Sequence, residues 1–108
     1  MFNIGDIVLV PFPFTDLQSI KTRPALVVYV NHKFGDLVLL AITSVSCACD
    51  EIMIKNVDLD EGALPVDSYV RYMKFATVNE KLIRQKVAAL GDLSLKKVLS
   101  KIRGKFEV

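Results

Sequence analysis

A chain of 108 residues makes one domain, residues 1–108, and buries roughly two thirds of the surface its unfolded form exposes, enough for a single core. Hydrophobic residues at 52% and a net charge of only +2 exclude a disordered chain and leave apolar surface to cover, so a homodimer is expected before a monomer. The longest apolar runs, 25–30 and 37–42, fall far short of the roughly 20 residues that span a bilayer, and the N-terminus lacks a basic segment followed by an apolar one, so a soluble, cytoplasmic protein without membrane contact is expected.

The chain opens with Gly5-Asp6-Ile7-Val8-Leu9-Val10, a run without polar alternation that reads as a strand covered on both faces. Pro11 and Pro13 end it, because neither can donate to a ladder, and Phe12 and Phe14 then project from a stiff extended segment. The stretch from Asp16 to Lys21 has no apolar periodicity and reads as a loop of functional length. Residues 23–30 form a second strand, 31–36 a hairpin turn marked by Gly35-Asp36, and 37–43 a third strand.

Cys47 and Cys49 come next, in a small polar segment with no histidine nearby to complete a zinc set, and are expected as reduced thiols. Residues 51–55 read as a short strand with charged ends, followed by a turn-rich stretch through Gly62 and Pro65. Strands over 69–75 and 86–90 complete the set, with one helical turn over 79–84 between them. Ser94 is the expected cap of a final helix with an apolar stripe at Leu95, Val98, Leu99 and Ile102, and Gly104 its expected stop. Close-spaced short strands and one terminal helix predict a mainly β fold, a small, strongly bent antiparallel barrel with a C-terminal α-helix.

Charge is unevenly spread. Residues 50–67 carry six acids against Lys55 alone, whereas residues 71–105 carry ten bases against Glu80 and Asp92, so the second half suits a polyanion. For Lys96, Lys97, Lys101 and Arg103, which lie opposite the apolar stripe, a solvated helix face is the favoured reading.

Two groups stand out chemically. Arg23 begins an otherwise apolar strand and Pro24 restrains the backbone after it, which suits a guanidinium held toward a phosphate; a salt bridge to Asp16 or to the acidic middle is the structural alternative. Thr43-Ser44 sits where the third strand leaves the sheet. With the hairpin centred near Lys33, Arg23 and Thr43 are ten residues on either side, so they are expected at one end of the barrel, although a bulge shifts such a register by one. A capped turn also explains a Thr-Ser pair. His32 falls in the hairpin turn at the opposite end and is expected to be exposed and idle. No carboxylate cluster with metal-ligand spacing and no Gly-rich phosphate loop is present, so no metal or cofactor is expected.

The blocks 5–16, Arg23-Pro24-Ala25-Leu26-Val27-Val28 and Ala41-Ile42-Thr43-Ser44, extended by Ser68-Tyr69-Val70-Arg71 and Leu93-Ser94, resemble the MazF/PemK/Kid toxins. The resemblance implies an SH3-like barrel of the CcdB/PemK type. It also implies the toxin of a type II toxin-antitoxin pair, a homodimer that cuts single-stranded RNA at short sequences without metal and is inhibited by a cognate antitoxin. On the same resemblance Arg23 and Thr43 match the family's catalytic arginine and threonine, and Arg71 an arginine that lines the RNA groove. Phe14, Thr15, Asp16, Lys21 and Ser44 complete the expected substrate-binding set. Two positions depart from the family pattern: Met73 stands where several relatives carry an aspartate, and the first loop has no histidine, which leaves the general base unassigned. Val45 replaces the polar residue that often comes after the Thr-Ser pair.

Metal-free cleavage of RNA needs the 2'-hydroxyl in line with the leaving oxygen and a fixed cation for the developing charge, a role that Arg23 suits. The gyrase-poisoning CcdB relatives share the barrel but use a terminal tryptophan, and this chain has none and ends Phe106-Glu107-Val108. A non-catalytic SH3-like nucleic-acid binder is the remaining alternative; it binds RNA in a salt-sensitive way without scission.

Overall fold

The computed structural model describes residues 1–11 and 21–108. Their elements, in order, are β1 (Asp6–Pro11), β2 (Thr22–Asn31), β3 (Asp36–Thr43), β4 (Glu51–Ile54), β5 (Leu59–Gly62), β6 (Ser68–Asn79), β7 (Gln85–Leu90) and α1 (Asp92–Lys105), with short 3-10 turns at Asn56–Asp58 and Glu80–Leu82. Every pairing is antiparallel and the strand order is β4-β6-β3-β2-β1-β7-β5. The bent antiparallel sheet with a C-terminal helix is therefore as the sequence predicts. The sheet curves without closing, because β4 and β5 stand at its two ends.

Period-2 alternation sorts the side chains onto two faces. Ile7, Leu26, Leu40, Ile42 and Val70 build the main cluster, and α1 lies against it through the fully buried Val98, flanked by Leu95 and Ile102. Val8, Val10, Ala25, Val27, Leu39 and Ala41 build a second cluster on the other face. β1 supplies both, which is why its sequence shows no polar alternation.

The register shifts in four of the pairings, two of them on β7 against β1 and β5 and two on the strands around β3. On β2 the register steps between Val27↔Leu39 and Tyr29↔Val38, leaving Val28 as an extra residue. On β6 it steps between Leu40↔Phe75 and Ala41↔Arg71, leaving Tyr72, Met73 and Lys74 extra. Each insertion of an odd number of residues flips the faces of the residues beyond it. Accordingly Val70 and Tyr72 join the main cluster while Ala76 and Val78 join the second.

The helix begins earlier than Ser94 suggests. Gly91 is its N-cap, its carbonyl accepting from the Leu95 N–H at 2.9 Å, and Ser94 lies within the first turn. The helix also continues through Gly104 to Lys105, and Leu99, the fourth member of the expected stripe, is 38% exposed. β5 has no counterpart in the sequence reading; it is a polar edge strand joined to β7. Lys86 of β7 ties it down, with its ammonium 2.7 Å from Glu61 and 3.4 Å from the buried carboxylate of Asp6. Among the described residues no helix is long and apolar enough to cross a membrane.

Candidate active site

The site is best seen as two rows of residues crossing one face of the sheet. Ala25 of β2 pairs with Ala41 of β3, the last pair between these two strands, and Arg23 and Thr43 each lie two residues beyond it. Thr43 in turn faces Tyr69 of β6, which faces Met53 of β4, while Val10 of β1 flanks Arg23. One row inward, Ala41 faces Arg71, which faces Glu51. Directly opposed residues share a face with Cβ atoms about 5 Å apart, and rows two residues apart are separated by about 7 Å. Arg23, Thr43, Tyr69, Met53, Arg71 and Glu51 therefore form one patch on the face of the second cluster, away from the helix.

Ala25 and Ala41, in the row inward of Arg23 and Thr43, are buried members of the second cluster. Arg23 is exposed and Thr43 half-buried. The Thr43 hydroxyl oxygen accepts from the Val45 N–H at 3.2 Å, which caps the turn leaving β3 and leaves the hydroxyl hydrogen available to donate. Ser44 is exposed in the bend after it, and Lys21 is exposed just ahead of β2. Phe14, Thr15 and Asp16, and most of the expected loop, lie outside the described residues. Met73 packs against the main cluster within the β6 insertion, so its position is committed to packing.

The segment between β3 and β4 is held down at both ends. Asp50 accepts from Lys105 at 3.0 Å and from the Tyr72 hydroxyl at 3.3 Å, and the Lys105 hydrogen bond in particular lowers its pKa against the opposing effect of desolvation. Glu51 accepts from the Ser46 hydroxyl at 2.6 Å and the Cys47 N–H at 2.8 Å. The Ser46 bond, opposed by desolvation and helped by the Cys47 N–H and the charge of Arg71, holds the Glu51 carboxyl below the usual range. Cys47 and Cys49 are joined as a disulfide, their Cα atoms 5.2 Å apart, where the sequence leads one to expect reduced thiols. Ala48 between them has φ 53°, a left-handed conformation that turns both neighbours to the same side. A shallow pocket of about 190 Å³ between Cys49, Asp50, Arg71, Met73 and Lys74 adjoins this segment. A larger cleft of about 710 Å³ lies between Ile52 and the lysines of α1, on the helix side of the sheet and away from Arg23 and Thr43.

Tyr69, Met53 and Glu51 are not candidates from sequence. The signal for Met53 and Glu51 is the period-2 spacing that puts residues 51 and 53 on one face, informative only once β4 is paired to β6, and Tyr69 is marked only as part of the block Ser68-Tyr69-Val70-Arg71. His32 is exposed in the hairpin turn, as expected.

Residues 3–106 match the family described as PemK-like, MazF-like toxin of type II toxin-antitoxin system. The chain belongs to this family. The solved structures similar to this PemK-like chain share its fold at low identity. MazF (Form-I) from Deinococcus radiodurans is 20% identical with a TM-score of 0.73, covering 95% of this chain and 94% of its own. The Mycobacterium tuberculosis toxin MazF-mt6 is 17% identical with a TM-score of 0.69, covering 93% of each chain. An endoribonuclease in complex with its cognate antitoxin, from Mycobacterial species, is 13% identical with a TM-score of 0.72, covering 93% of this chain and 89% of its own. No curated protein matches the PemK-like sequence significantly.

Proposed function

We propose that this toxin-family protein is a metal-independent endoribonuclease that cleaves single-stranded RNA by attack of the ribose 2'-hydroxyl. The observation that supports the reading is that Arg23 and Thr43 each lie two residues beyond the Ala25↔Ala41 pair on neighbouring strands, with Tyr69 opposite Thr43 and Arg71 opposite Ala41. In the proposed step the 2'-oxygen bonds to phosphorus as the bond to the 5'-oxygen breaks, leaving a 2',3'-cyclic phosphate and a 5'-hydroxyl. Arg23 neutralises the charge gathering on the phosphate oxygens, because a fixed guanidinium pairs two donors with them without having to lose its proton. Thr43 donates its hydroxyl hydrogen to a phosphate oxygen and so fixes the in-line geometry.

Arg71 holds a neighbouring phosphate and Tyr69 offers a ring for a base to stack on. Glu51 is a poor candidate for the general base, since its oxygens are already engaged and its pKa is lowered. The 2'-hydroxyl proton passes to water, and water protonates the leaving oxygen. On the same reading Lys21, Ser44 and the segment carrying Phe14, Thr15 and Asp16 contact the RNA strand, the working form is a cytoplasmic homodimer, and a cognate antitoxin blocks the patch. An antitoxin is bound in one of the similar solved structures, which supports that part.

The test is to incubate the purified protein with RNA and with DNA of the same sequence in EDTA, and to map the ends formed. RNA cleaved to cyclic phosphate ends with DNA untouched is the expected result. Scission of both, or of neither, overturns the proposal, and salt-sensitive RNA binding without scission identifies a non-catalytic binder instead.

A further inference from the structure

The segment that joins β3 to β4 carries a group of donors that RNA cleavage does not use. The ligand atoms of Cys47, Cys49 and Glu51 all lie within 4.8 Å of one another, the two cysteines exposed and Glu51 half-buried at the start of β4. We propose that, once the Cys47–Cys49 disulfide is reduced, these three side chains form a binding site for a soft or borderline divalent cation of the zinc class.

Three features of the loop favour a cation over an idle thiol pair. Two thiolates and a carboxylate are the donor set that selects zinc or cadmium over magnesium or calcium. With metal–sulfur bonds near 2.3 Å and metal–oxygen bonds near 2.0 Å, a tetrahedral site places a sulfur and an oxygen ligand about 3.5 Å apart. The Cys47 sulfur already stands 3.2 Å from the Glu51 Oε1. The carboxylate is also oriented before any ion arrives, by the Ser46 hydroxyl on one oxygen and the Cys47 N–H on the other, as supporting hydrogen bonds orient ligands in metal sites generally. Finally, the left-handed backbone at Ala48 lies between two cysteines whose sulfurs both stand within 4.8 Å of the Glu51 carboxylate.

The site is three-coordinate from the chain, and water takes the fourth, outward position. Binding releases one proton from each thiol. A phosphine reductant opens the disulfide by taking oxygen from water, giving the phosphine oxide and two thiols, and does not itself compete for the cation as a thiol reagent would. The disulfide and the metal-bound form exclude each other, since both consume the same two sulfurs. The site borders the patch through Glu51, the cross-strand neighbour of Arg71, but does not depend on the proposed cleavage.

The experiment is anaerobic titration of the phosphine-reduced protein with Cd²⁺, following the ultraviolet thiolate-to-metal charge-transfer band and proton release. The expected result is saturation at one ion per chain with two protons released, and no band from the oxidised protein. Cys47→Ser and Cys49→Ser should each remove most of the band. Glu51→Ala should keep the band but weaken binding, and Ser46→Ala should weaken it roughly tenfold. Absence of a band in the reduced protein, half an ion per chain, or affinity unchanged by Cys47→Ser or by Glu51→Ala overturns the site.

Discussion

Thr43 does two jobs that can be separated. Its oxygen caps the turn after β3 by accepting from the Val45 N–H, while its hydrogen is the group proposed to reach the phosphate. Thr43→Val keeps the shape and loses both, and should lower the cleavage rate by roughly 100-fold while costing only about 1 kcal/mol of stability. Thr43→Ser should restore both. Single-turnover kinetics beside urea denaturation decides it: a rate loss no larger than the fraction unfolded would leave Thr43 a turn residue only. Arg23→Lys should also lose most activity, because an ammonium keeps the charge but cannot present two parallel donors. That Arg23 and Thr43 lie toward one end of the β2–β3 pair is legible from the hairpin count, but the register between them is not. Asn31↔Asp36 at the turn, carried on alone, would put Ala25 opposite Ile42, and the extra residue at Val28 shifts the register by one, to Ala25↔Ala41. A valine in an apolar strand gives no sign of a bulge.

At the scale of elements, the glycines separate what local signals can tell from what they cannot. Gly104 reads as a helix stop, yet it lies inside α1, and a Cβ there would meet nothing within 4 Å. Gly62 reads as an ordinary turn residue in an acidic stretch. It ends β5 at φ +76°, where a Cβ would sit 2.2 Å from the Val87 carbonyl oxygen and 2.6 Å from the Ala88 Cα. Those are backbone atoms of a paired strand and cannot move aside. Gly62→Ala should therefore cost about 3 kcal/mol or more, whereas Gly104→Ala should stabilise by about 0.5 kcal/mol. Both are read as shifts of the urea midpoint at constant slope, and equal shifts would contradict the packing described. β5 is invisible in the sequence because its Leu-Asp-Glu-Gly has no apolar alternation; pairing with β7 and the Lys86 clamp define it. The five strands with apolar repeats and the helix are legible because burial alone specifies their faces, and β4 because of its short apolar core.

Across the whole molecule, the acidic middle and the basic second half meet at the edges of the sheet. β4 and β5 are the edge strands, and charges there discourage pairing with other chains. Lys86 and Lys105 of the second half take part in this internal arrangement: Lys86 joins β7 to Glu61 and Asp6, and Lys105 joins the end of α1 to Asp50. The hydrogen bond that Lys86 donates to Glu61, opposed by desolvation and helped by Asp6, raises the Lys86 pKa, and the bond that Lys105 donates to Asp50 raises that of Lys105. A lysine whose pKa is higher folded than unfolded holds its proton more tightly in the native state. Its contribution to stability is complete below the unfolded value, about 10.4, and is lost as pH rises through the folded value. The protein should consequently lose stability on the alkaline side, from about pH 10 upward, by more than Lys86→Met or Lys105→Met does. Measured as urea midpoints at pH 8 and at successive alkaline values, the difference between wild type and Lys86→Met should shrink as pH rises. A difference that stays constant would mean that Lys86 acts through the packing of its stem rather than through its charge.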